Sequence, residues 1–290
     1  MAIFKGACPA LITPFTEDGV NFDTLEQLLD FQLTNGSDAI LVCGTTGEPA
    51  TMTTEEKHSV VEFARKKIRN KVPLIVSTGS NNTLACINES RFAEQAGADA
   101  LLIVTPYYNK ATQNGLIAHY TAIADSVGIP IILYNVPSRT GVNLLPETVA
   151  RLAEHKNIRA IKEASGNIDQ VCELARLTRG GMDIYSGEDG ITLPILSLGG
   201  IGVISVVSNV HPQLMHDLTV EKDPVRAAEL QFAVKELANE LFREVNPIPA
   251  KTACNLMGFD CGPLRLPLTE MEEQNKTQLI AVLKKYGILR

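Results

Sequence analysis

Ile158-Arg159-Ala160-Ile161-Lys162-Glu163-Ala164-Ser165-Gly166 is a short apolar run that carries one lysine to its end and then turns. Bounded by Asn157 on one side and Ser165-Gly166 on the other, it is too short for a helix and reads as a buried strand. Lysine is a costly residue in such a place, because an ammonium resists desolvation and burial favours the neutral amine. A neutral amine at a strand end is a nucleophile for a carbonyl carbon, and the product is a Schiff base. The alternative is a lysine that snorkels to solvent or pairs with the adjacent Glu163.

Seven further apolar runs flank this one, at residues 7–13, 38–42, 72–76, 100–104, 129–134, 182–186 and 202–206. Helical patterns fill the gaps. Asp23 with Glu26 reads as a capping box opening a helix that carries Leu25, Leu28, Leu29 and Leu33, and Thr53 with Glu56 opens the next. Further patterns occupy residues 83–95, 115–125, 146–154 and 168–177, with a shorter one at 191–198. Strands alternating with helices at intervals of roughly 25 to 30 residues are parallel strands joined by right-handed crossovers. Eight such units in about 210 residues favour a closed (β/α)8 TIM barrel over an open doubly wound sheet. No GxGxxG follows the first run, which argues against a dinucleotide-binding sheet. After residue 206 the pattern is helical only. Residues 224–244 place Leu230, Val234, Leu237 and Leu241 on one face. Asn246-Pro247 reads as the cap and first position of another helix, and Thr269 with Glu272 opens the last. The expected organisation is a barrel catalytic domain over residues 1–223 and a C-terminal helical domain over 224–290.

The composition narrows the chemistry. With 290 residues, 45% of them hydrophobic, the chain can bury a large core, and with no tryptophan that core is aliphatic. A net charge of −7 excludes nucleic acid or an anionic membrane as the main partner. No apolar run approaches ~18 residues and no signal-peptide pattern opens the chain, so a soluble, cytoplasmic protein is expected. The six cysteines are scattered without CxxC spacing or neighbouring histidines, so free thiols and no metal are expected.

In a barrel, chemistry gathers where strands end. After the second run, Gly44-Thr45-Thr46-Gly47-Glu48 sets two hydroxyls and several amides between glycines, a turn able to cup a carboxylate; a plain capped turn is the alternative. After the fourth, Thr105-Pro106-Tyr107-Tyr108-Asn109 sets two tyrosines side by side, suited to packing as much as to chemistry. After the fifth, Tyr134-Asn135-Val136-Pro137-Ser138-Arg139-Thr140-Gly141 supplies a phenol for proton transfer and a guanidinium for a carboxylate. After the seventh comes Ser186-Gly187-Glu188-Asp189-Gly190, a tight glycine turn or an ordinary acidic loop. Gly199-Gly200-Ile201-Gly202 lies near the runs where barrels often seat phosphate, but it precedes the eighth run and reads as close packing at the opposite end. GxSxG, HExxH and P-loop patterns are absent. Lysine, tyrosine, an anion-cupping turn and arginine at four strand ends are the parts needed for attack on a 2-oxo acid.

GTTGE (44–48), TPYYN (105–109), YNVPSRTG (134–141), IKEASG (161–166) and NPIPAK (246–251), in this order, resemble the 4-hydroxy-tetrahydrodipicolinate (dihydrodipicolinate) synthase family, within the pyruvate-dependent Schiff-base aldolase and N-acetylneuraminate lyase superfamily. The resemblance spans essentially the whole chain. It implies a barrel with a C-terminal helical domain, a homotetramer built as a dimer of dimers, and no metal or organic cofactor. The implied reaction condenses pyruvate with L-aspartate 4-semialdehyde in the diaminopimelate route to lysine. Carried over by position, Lys162 forms the Schiff base and Tyr134 is the acid/base beside it. Thr46 links Tyr134 to Tyr108, which reaches in from the neighbouring subunit. The amides of Thr45 and Thr46 hold the pyruvate carboxylate, Arg139 binds that of the semialdehyde, and Gly187 and Ile204 line the pocket.

The positions matching the family's lysine-effector site are Ala50, Thr54, Lys57, Gly79, Asn81, Ala85 and Tyr107. Ala85 stands where a glutamate is expected and Lys57 adds a cation, so weak or absent inhibition by lysine is expected. A sibling aldolase, acting on N-acetylneuraminate or 2-keto-3-deoxygluconate, would share Lys162 and Tyr134, whereas Arg139 and Thr46 with Tyr108 favour the synthase. A non-catalytic 2-oxo acid-binding barrel would have no need of the full set.

Overall fold

The computed structural model describes residues 2–290. Its central sheet has eight strands: β1 (Gly6–Pro9), β2 (Ile40–Val42), β3 (Leu74–Ser77), β4 (Ala100–Val104), β5 (Ile131–Asn135), β6 (Ile158–Glu163), β7 (Asp183–Ser186) and β8 (Gly202–Ser205). From β2 to β8 each pairs in parallel with the next, and β1 pairs with β8. A parallel bridge between Ala10 and Leu41 joins β1 to β2 and closes the (β/α)8 barrel.

Both faces of these strands are apolar, which is why they read as unbroken runs. Cys8, Leu41, Ile75, Leu102, Ile132, Ala160, Tyr185 and Ile204, one from each strand, fill the interior. Their neighbours, such as Ile40, Val42, Leu74, Val76, Leu101 and Ile103, face the surrounding helices. At the bottom, Phe4 stacks on Tyr185 with centroids 4.3 Å apart. Gly202 lies there too: a Cβ on it would sit 2.4 Å from the Gly6 carbonyl, and one on Gly200 2.8 Å from the Ile195 carbonyl, so these two glycines serve close packing.

Several boundaries differ from the sequence reading, for a common reason. The first helix is Phe22–Thr34, capped by Asn21 rather than Asp23, and Glu26 bonds Lys67 Nζ at 2.7 Å instead of closing a box. The Thr53–Glu56 capping box is present as expected. Asn246 does not cap the following helix, Ile248–Leu256; its side chain is engaged with Thr46. The last helix is Glu273–Lys285, because the Glu272 amide donates to Glu244 Oε1 at 3.0 Å and Thr269 has no capping role. The first run yields a strand only to Pro9; beyond it the Leu11 amide donates to the Leu41 carbonyl and the Ile12 amide to Asn209 Oδ1. A helix at Pro212–Val220, which the sequence reading omitted, is started by Pro212 and by His211 Nδ1 accepting from the Leu214 amide.

Helix Pro224–Leu241 runs across the C-terminal mouth of the barrel. Gln231 fastens it there, accepting from the Leu193 amide at 2.7 Å and donating to the Asp189 carbonyl at 3.1 Å. No helix among the described residues is long and apolar enough to cross a membrane. All six cysteines are free thiols, and only Cys172 is exposed.

Candidate active site

Side chains alternate across a strand, so Lys162 shares the inward face of β6 with Ala160, while Ile161 and Glu163 face outward. Lys162 therefore emerges at the top of the barrel interior, and is 6% exposed. Glu163 does not pair with it: its carboxylate accepts from the Ser165 amide at 2.7 Å and Asn135 Nδ2 at 3.1 Å. Burial raises the Glu163 carboxyl above its ordinary range. Tyr134 on β5 is the direct ladder neighbour of Lys162, and the lysine Nζ lies 4.4 Å from the centre of its ring.

A cavity of about 680 Å³ opens above this pair, lined by Lys162, Tyr134, Thr45, Thr46, Arg139 and Gly187 among others. Gly187 follows β7 and shapes the floor. A Cβ on it would lie 3.0 Å from both Cγ and Cε of Lys162 and 2.7 Å from the Ala164 Cβ, so only glycine leaves the lysine chain its course. Arg139 projects from the single turn Pro137–Thr140 and donates to the Asn246 carbonyl at 3.4 Å.

The Thr45–Gly47 turn is held from outside the cavity. Its closing bonds run from the Gly47 and Glu48 amides to the Gly44 and Thr45 carbonyls, so the Thr45 and Thr46 amides precede that ladder, as the first donors of any helical turn do. Glu48 adopts a left-handed conformation, φ 57°, and is anchored by buried Lys251 Nζ at 2.9 Å and by the Arg265 amide at 3.1 Å. Burial lowers the Lys251 ammonium from its ordinary value. Lys251 and Arg265 also bracket Phe15, at 4.1 and 4.0 Å from its ring centre.

Two predicted residues stand apart from the cavity. Ile204 packs in the inner barrel cluster. Tyr108 is 91% exposed on the loop after β4, at φ 70°, and this chain alone does not bring it to Lys162. Conversely, Lys235, Asn239, Phe242 and Asn246 line the cavity from the C-terminal segment. The helical periodicity of residues 224–244 signalled burial and held no hint of this second face.

The effector-type positions lie elsewhere. Ala50 and Thr54 are exposed, Ala85 is half-buried, and Asn81 Nδ2 donates to the Tyr107 carbonyl at 3.1 Å. Lys57 Nζ and His58 Nε2 lie 3.8 and 3.4 Å from the Glu89 carboxylate, one helical turn beyond Ala85. Among the described residues, no group of three or more His, Cys, Asp or Glu is gathered as a metal would require.

The sequence profile of the dihydrodipicolinate synthetase family matches residues 3–286. The chain belongs to this family. It is an enzyme of the family by kinship along its full length: a 4-hydroxy-tetrahydrodipicolinate synthase from Clostridium perfringens is 53% identical over 291 residues, covering 99% of this chain and 100% of the relative. Dihydrodipicolinate synthase from Thermotoga maritima superposes with a TM-score of 0.97 at 42% identity, covering 99% of this chain and 100% of the other. A monomeric dihydrodipicolinate synthase variant matches equally well, with a TM-score of 0.97 at 42% identity, covering 99% and 98%.

Proposed function

We propose that this chain condenses pyruvate with L-aspartate 4-semialdehyde to 4-hydroxy-tetrahydrodipicolinate, a step of lysine and diaminopimelate biosynthesis, in the cytoplasm. The observation that carries the reading is Lys162: an inward-facing lysine at a barrel strand end, beside the Tyr134 ring, in the cavity that also holds Arg139 and the Thr45–Gly47 turn.

The chemistry follows from these positions. The Lys162 amine adds to the keto carbon of pyruvate, and loss of water from the carbinolamine leaves an iminium. The Thr45 and Thr46 amides hold the pyruvate carboxylate. Tyr134 carries protons for the addition and dehydration, and Thr46 links it to Tyr108. Loss of a methyl proton turns the iminium into an enamine, whose carbon attacks the aldehyde of the second substrate. The substrate amine then displaces Lys162 from the imine carbon, closing the ring and freeing the enzyme. Arg139 orients the semialdehyde by its carboxylate. Because the iminium is itself the electron sink, no metal or organic cofactor is called for.

Residues 1–223 form the catalytic barrel in this reading, and 224–290 a C-terminal helical domain that walls its mouth. Tyr108 completes the relay of a second subunit across a tight-dimer interface, within a homotetramer built as a dimer of dimers. What supports this is its exposure, 91% on a left-handed backbone, where an isolated chain has no use for it. Turnover of pyruvate with the semialdehyde, measured alongside sedimentation, tests both parts. Synthase activity that falls on dilution into monomers is expected; full activity of the monomer would rule out the shared tyrosine, and no turnover by a folded tetramer would rule out the reaction.

A further inference from the structure

The relay proposed above requires the Thr46 hydroxyl to hand its proton inward, and one contact bears on that direction. Asn246 Nδ2 lies 2.9 Å from Thr46 Oγ1, across 200 residues of sequence. Both side chains are buried, at 5% and 2% exposure, and both residues line the cavity. An amide nitrogen only donates, so Oγ1 accepts there, and the single O–H of the threonine is left to point elsewhere. The other end of the amide, Oδ1, has no hydrogen-bond partner within the chain.

The same segment grips the turn twice. Lys251, just downstream of Asn246, is paired with Glu48, two residues beyond Thr46. The Asn246 carbonyl accepts from Arg139. Asn246 thus touches the residues assigned to both substrates while lying on a segment outside the barrel strands.

We infer that Asn246 is a positioning residue that holds Thr46 Oγ1 as the acceptor of its side-chain amide and so leaves the hydroxyl proton free for the reacting groups. It acts through Thr46 and touches no reacting atom. This rests on the relay reading of Thr46, and the test separates the two.

The experiment is a double-mutant cycle of Asn246→Asp and Thr46→Val, with kcat, KM for pyruvate and thermal unfolding measured on each protein. Aspartate cannot donate from a carboxylate and takes the threonine proton for itself, reversing the bond. N246D is expected to lower kcat by about 10²-fold, with KM for pyruvate changed far less, in keeping with loss of one acid/base step. T46V is expected to fall comparably, and the double variant no more than about threefold below T46V, since the two act as one unit. A double variant that falls by the product of the two single losses overturns the inference and leaves the relay standing. T46V with ordinary turnover removes the relay and the inference together. Asn246→Ala, which deletes the donor without adding charge, serves in the same cycle if the aspartate variant does not fold.

Discussion

Gly187→Ala isolates the geometry of the lysine. Gly187 lies outside the left-handed region, so alanine meets no backbone strain and its effect is steric. The added methyl would sit 2.7 Å from the Ala164 Cβ and 3.0 Å from Cγ and Cε of Lys162. Carbon atoms rest at about 3.5–4.0 Å, so the neighbours must yield by about 1 Å. Strand β5 holds Ala164's backbone, whose N–H donates to the Asn135 carbonyl at 2.9 Å, whereas the lysine chain can swing. Overpacking of this kind costs about 1–3 kcal/mol of stability, which a barrel with so extensive a core tolerates. A displacement of about 1 Å at the nucleophile costs about 10²-fold in rate, or about 2.7 kcal/mol of barrier. The assay is steady-state turnover together with the rate of pyruvate-dependent trapping by borohydride, on protein whose thermal unfolding confirms the fold. Both rates should fall by about two orders of magnitude. A folded G187A variant within threefold of wild type, or one that traps pyruvate at the ordinary rate, refutes the reasoning.

Replacing Lys251 by methionine leaves Glu48 buried without its cation, and should lower the unfolding free energy by about 3–5 kcal/mol and raise KM for pyruvate through the loosened turn; denaturant unfolding that matches wild type contradicts this. His119 is pushed down to about 4 by burial, while an unfolded chain holds imidazole near 6.5. Between those values the unfolded chain binds a proton that the folded one refuses, so stability falls with pH, by about 2 kcal/mol at pH 5. Urea unfolding of His119→Gln should lose that much of the difference between pH 7 and pH 5, and equal pH slopes for variant and wild type contradict it. Because Glu89 already faces the Lys57 ammonium, and Ala85 offers no carboxylate, free lysine should inhibit weakly or not at all; half-maximal inhibition below roughly 1 mM in initial-rate assays would contradict that expectation.

The barrel was legible in the sequence because each strand buries two apolar faces and each ends in a turn, a pattern that survives without knowledge of any long-range contact. Lys162 stood out for the same reason, as a charge in a run that otherwise has none facing inward. What was not legible is what distant segments do to local signals. Asp23 with Glu26 has the spacing of a capping box, yet Glu26 is drawn to Lys67, 41 residues away. Asn246 before Pro247 has the look of a helix cap, yet its amide is spent on Thr46. Thr269 three residues before Glu272 repeats the pattern, and Glu244 takes the Glu272 amide instead. The cavity wall contributed by Lys235, Asn239 and Phe242 belongs to the same class, since helical periodicity registers the buried face and is silent about what the other face overlooks.

The chemistry of this site rests on Lys162 as its nucleophile. Intact mass after incubation with pyruvate and borohydride, followed by peptide mapping, addresses it directly. A single reduced pyruvyl adduct on the peptide that carries Lys162 is the predicted result. A folded protein that gains no adduct, or gains it on another lysine such as Lys235, would contradict the Schiff-base chemistry assigned to this site.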